Sequence, residues 1–103
     1  MMVHSQWHQK DSAHIGLQGT LDRDQVPELW SFAETWVPEE SQIELSLKEV
    51  GRVDSAGMVF LIHLIEHAKK QNCHIMLRFV PEQLVTLFQL SRVDSLLINH
   101  IKN

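Results

Sequence analysis

The sequence predicts an α/β domain in which helices flank a mixed, mostly parallel sheet of about four strands plus one or two N-terminal strands. Three observations predict it. Stretches with the twofold period of a half-buried strand alternate with stretches at helical spacing, in the order strands, helix, strand, helix, strand, helix. The 103 residues suffice for one modest core, and 44% hydrophobic against 21% charged residues is a globular balance. No repeat, linker or low-complexity segment interrupts the chain, so residues 1–103 read as a single domain.

The elements follow in order. "SQWHQKDSAHIGLQGTL" reads as two short strands with a turn at "KDS", in which Ile15, Leu17 and Leu21 alternate with polar residues and Gly19 ends the run. "DRDQVPELWSFAETWV" reads as a helix. Asp22 or Asp24 is its N-cap, Pro27 suits its first turn, and Val26, Leu29, Trp30, Ala33 and Trp36 or Val37 fall at helical spacing. Pro38 and the acidic residues after it stop that helix. "IELSL" is a strand with Ile43, Leu45 and Leu47 on one face, and "EVGRVD" is a turn with a short extended piece. A long helix runs from about Ser55 to Gln71. "HIMLRFV" is a strand with Ile75, Leu77 and Phe79 facing one way and Met76 and Val80 the other. Pro81 opens a last helix with Leu84, Leu87, Phe88 and Leu90 inward, and "SRVDSLLINHIKN" adds a short helical turn and then frays.

Composition narrows the function. A net charge of -4 with no basic patch argues against a nucleic-acid partner. Seven histidines make the charge sensitive to pH near 6. The one cysteine, Cys73, precludes an intrachain disulfide, fits a reducing compartment, and reads as a small hydrophobe. "MMVHSQWHQKDS" lacks the apolar core of a secretory signal, and the longest apolar run, "AGMVFLI", is far too short to span a bilayer. Any action at a membrane therefore passes through another chain.

The long helix carries an unusual stripe. With about 100° per residue and His63 as origin, Glu66, His67 and Lys70 mark a water side, and Met58, Leu61, Leu64, Ile65 and Ala68 lie opposite. Val59 at about -40° and Phe60 at about +60° fall on the water side. Ser55 and Ala56 continue that side to the helix start. A stripe of Ser55, Ala56, Val59, Phe60 and His63 suggests a docking patch; the alternative is that the C-terminal tail or a neighbouring helix of the same chain covers it. Asp54 or Ser55 can cap the helix, and Gly57 costs about 1 kcal/mol of helix propensity, which makes sense where another backbone approaches closely.

Other motifs carry less. "HLIEH", His63 to His67, matches an inverted zincin pattern, but no third ligand accompanies it, so a solvated polar face is expected and no metal site. Ser55, Asp54 and His63 lack a nucleophile elbow and oxyanion hole, so no catalytic residue is assigned. Four scattered glycines form no phosphate loop, no cofactor is expected, and Lys69, Lys70 and Arg78 are too few to bind lipid. Trp30 reads as core, and Trp36 as partly exposed near the helix end.

"VDSAG" after a short strand, opening a long apolar helix, resembles the signature of STAS domains, named for sulfate transporters and anti-sigma factor antagonists. "GTLDRDQVPELW", "RVDSAGMVFLIHLIEHAKKQ" and the strand after them are similar to the STAS subunits of phospholipid-transport ABC complexes, and the resemblance covers most of the chain. It implies the STAS-type fold. It also implies a non-catalytic cytoplasmic accessory subunit, peripheral to the inner membrane, in a complex that maintains outer-membrane lipid asymmetry in Gram-negative bacteria. Such a subunit would bind the ATPase subunit directly and stabilise or tune it, and would reach the permease and substrate-binding subunits through the complex. The implied interface is Asp54, Ser55, Ala56, Gly57, Val59, Phe60 and His63. The resemblance to anti-sigma factor antagonists implies the alternative, a switch phosphorylated on Ser55 by a partner kinase.

Overall fold

The computed structural model describes residues 4–91 and 100–102. Five strands form one sheet in chain order: β1 (Trp7–Asp11), β2 (His14–Leu21), β3 (Gln42–Val53), β4 (His74–Arg78) and β5 (Ile101–Lys102). β1 is antiparallel to β2, and the other neighbours are parallel. Among the described residues, three helices connect them: α1 (Val26–Ala33), α2 (Ser55–Lys69) and α3 (Glu82–Leu90).

The strand period fixes the layers. Ile15, Leu45 and Leu77 sit in register across β2, β3 and β4, and all three are buried. With Ile43, Leu47 and Ile75 they make the sheet half of the core; Leu29 and Ala33 of α1, Leu61, Leu64, Ile65 and Ala68 of α2, and Leu84 and Phe88 of α3 make the other half. Glu44, Ser46 and Lys48 alternate onto the opposite face, beside a shallow concavity of about 440 Å³ that Arg78 and Phe79 also line.

Several elements differ from expectation. Gly19 does not end β2; at φ +79° it takes a conformation that favours glycine, and the strand continues to Leu21. β3 has 12 residues, because "EVGR" stays extended along β2. Two register shifts, between Gly16 and Gln18 and between Gly19 and Thr20, place extra β3 residues opposite β2, so a bulged strand looks like a turn in sequence. Helix α1 stops at Ala33, and Val37, ahead of Pro38, is 68% exposed. Neither aspartate is its N-cap: Gln25 holds that position without a side-chain cap bond, and Asp22 braces the turn before it, its carboxylate accepting the Asp24 and Gln25 amides, each at 3.0 Å.

Phe79 does not join Ile75 and Leu77 in the core. β4 ends at Arg78, Phe79 turns to φ +55°, and Lys48 Nζ and the Arg78 guanidinium lie over its exposed ring at 5.5 and 5.2 Å. Leu90 is 77% exposed, because it lies about 120° round α3 from Leu84. The expected helical turn after α3 lies outside the described residues. Ile101 and Lys102 do not fray, since they pair with Leu77 and Arg78.

Candidate functional site

The candidate site is the junction of β3 and α2, at the carboxyl end of the parallel strands. It is held on three sides. The Asp54 amide donates to the Leu21 carbonyl at 3.1 Å, tying the turn to β2. The Val53 amide donates to Gln83 Oε1 at 3.2 Å, tying it to α3. The Arg23 amide, in the loop before α1, donates to Asp54 Oδ2 at 3.3 Å.

Asp54, not Ser55, is the N-cap. Its backbone is extended, and its Oδ1 accepts the amides of Ala56 at 2.9 Å and Gly57 at 3.2 Å, two donors the helix itself leaves unpaired. One carboxylate thus starts α2 and anchors the loop at Arg23. Ser55 is the first helical residue and is exposed, and its hydroxyl has no hydrogen-bond partner among the described residues.

Gly57 is buried and explains its own cost in propensity. A β-carbon there would collide with the Leu21 carbonyl oxygen and stand 2.8 Å from both Leu21 Cβ and Val53 Cγ1. The backbone that approaches it belongs to this chain. Gly57 is therefore closed to a partner, a correction to the expected interface.

Phe60 needs a second correction. It is 2% exposed and meets Trp30 edge-on, with ring centroids 6.2 Å apart and planes at 82°. Helix α1 lies along that flank of α2, so the neighbouring-helix alternative holds for Phe60. Trp30 also meets the rings of His63 at 5.8 Å and His67 at 6.0 Å, and His67 Nε2 lies 2.9 Å from the Trp36 carbonyl oxygen. Of the expected stripe, Ser55, Val59 (44% exposed) and His63 face outward, while Asp54 and Ala56 are half-buried at its margin.

The site brings Asp54 and Ser55 together without linking either to His63, whose ring contact is with Trp30. The residues that periodicity missed are Arg23 and Gln83. They lie 31 and 30 residues from their partners at the junction, and no local pattern marks either. Among the described residues, no helix is long and apolar enough to cross a membrane, and no three His, Cys, Asp or Glu side chains are grouped to hold a metal.

Comparison with known proteins agrees with this architecture. The family model described as "Mlab, STAS domain" matches residues 4–99. The chain is 40% identical over 76 residues to the intermembrane phospholipid transport system binding protein MlaB of Escherichia coli (strain K12), covering 74% of this chain and 76% of that protein. The MlaB protein of Shigella flexneri matches to the same extent. The unphosphorylated anti-sigma factor antagonist SpoIIAA has a similar fold, with a TM-score of 0.71 at 16% identity over 94% of this chain and 84% of that one. A sulfate transporter family protein from Wolinella succinogenes superposes with a TM-score of 0.66 at 16% identity, over 86% of this chain and 74% of the other.

Proposed function

The chain belongs to the MlaB-type STAS domain family, and from that premise we propose that it is a non-catalytic cytoplasmic subunit of an intermembrane phospholipid transport system. It binds the ATPase subunit through the exposed flank of α2 and stabilises or tunes it. The permease, the substrate-binding subunit and the membrane are reached only through that complex.

The observation that carries the reading is the state of the helix start. Ser55 and Val59 stand exposed on a helix N-terminus that is braced to β2 and α3 by its backbone and to the loop at Arg23 by the Asp54 carboxylate. A rigid surface with small and apolar side chains loses little entropy on docking. Phe60 and Gly57 contribute from beneath, by shaping the helix, and not as contacts.

Co-expression with the ATPase of the same system tests it. Val59→Asp should fold with unchanged circular dichroism yet lose co-purification, because a carboxylate replaces an apolar contact. Full recovery of the ATPase with Val59→Asp would refute docking through this flank.

A second reading rests on the exposed Ser55 hydroxyl: a switch of the anti-sigma antagonist type, phosphorylated there. A phosphate adds about -1.5 to -2 charges, which a helix N-terminus tolerates and an apolar interface does not. Neighbouring genes for a serine kinase and a sigma factor would favour this switch; genes for a permease and an ATPase favour the transporter.

A further inference from the structure

We propose that His100 is a pH-sensitive clasp, which holds the C-terminal end of the chain on the sheet at neutral pH and releases it on acidification. β5 is two residues long and among the described residues pairs only with Leu77 and Arg78, too little ladder to hold itself. The residue before it does the holding. His100 is 3% exposed, and its Nδ1 lies 2.9 Å from the Ile75 carbonyl oxygen, so Nδ1–H is the donor. Its ring stacks on that of His74, with centroids 4.3 Å apart and planes at 25°.

That packing suits a neutral imidazole and not a charged one. The groups among the described residues whose charge reaches the ring are His74 of β4 and Lys69 at the end of α2, both cations when protonated. Burial first, and then those charges, hold His100 below its ordinary value of 6.5, against the opposing effect of the Ile75 hydrogen bond. The released end binds its proton more readily than the docked one. The clasp is therefore at full strength above 6.5 and weakens as pH falls through that value toward the docked imidazole's own. Release would leave the β4 backbone as an open sheet edge.

Hydrogen exchange on the full chain tests this, with protection factors referred to unstructured rates at about pH 7.5 and about pH 5.5. The β5 amides should lose at least about threefold in protection at the lower pH while β2 and β3 amides hold theirs. His100→Gln keeps a donor for Ile75 without a titrating ring, and should remove the pH dependence. If that variant opens the end at both pH values, His74→Gln decides: the dependence should persist with its midpoint raised. Unchanged β5 protection in the native chain, or an equal loss throughout the sheet, would overturn the clasp.

Discussion

Gly57 packs directly on Leu21: a β-carbon at position 57 would collide with the Leu21 carbonyl oxygen and come within 2.8 Å of the Leu21 Cβ. The nearest obstacle is a backbone oxygen, so no side-chain rotation relieves the collision. Gly57→Ala should therefore destabilise the fold by about 1–3 kcal/mol, although alanine favours the helix by about 1 kcal/mol. Urea unfolding measures the difference, and a more stable variant would show that α2 can shift away from β2.

Phe60 and Val59 are adjacent in sequence and opposite in fate. Phe60→Ala should cost about 3–5 kcal/mol by emptying the space beside Trp30, whereas Val59→Ala should change stability by less than about 1 kcal/mol. Paired thermal and urea melts read both. Similar losses for the two would mean that α1 does not seal this flank.

Asp54 serves α2 through one oxygen and the Arg23 amide through the other. Asp54→Ala should cost about 0.5–2 kcal/mol, and Asp54→Asn, which keeps an acceptor for Ala56 and Gly57, should recover most of it. Exchange at the Arg23 amide should rise in the alanine variant. An unchanged rate there would place the anchor of that loop elsewhere.

The turn between β1 and β2 titrates in a defined way. The His14 imidazole, 2.8 Å away, and then the Ala13 amide hold the Asp11 carboxyl below its ordinary 3.8. Its contribution is present above 3.8 and is lost as pH falls through the lowered value. In His14→Ala the Asp11 midpoint should rise yet stay under 3.8, since the Ala13 amide still donates. A side-chain NMR titration follows both, and an unmoved midpoint would remove His14 as the cause.

Cys73 is 2% exposed, and burial pushes its thiol above the ordinary 9.0. An aromatic disulfide reagent at mildly alkaline pH should react slowly with the folded chain and at once in denaturant. Immediate reaction without denaturant would show that the start of β4 opens readily.

Local chemistry made much of this legible in the sequence. Twofold alternation marked Ile43, Leu45 and Leu47 as the inner face of β3, and helical spacing marked Leu61, Leu64, Ile65 and Ala68 as the inner face of α2. A carboxylate two and three residues ahead of orphan amides marked Asp54 as one of two possible caps. Each is a relation between residues close in the chain, where backbone geometry alone sets the distances.

The tertiary structure decided which flank of α2 meets water. A helical wheel gives angles about one axis and assumes that the sheet alone covers the helix; α1 lies alongside as a second cover, widens the apolar arc and takes Phe60 inside against Trp30. The same holds for Gly57 on Leu21, for Arg23 and Gln83 at the junction, and for His100 on His74. Those partners are far apart in sequence, and no periodicity along one segment encodes the position of another. Packing the layers places them, so the sequence by itself determined most of the elements and their family while the folded arrangement chose which side chains stay exposed.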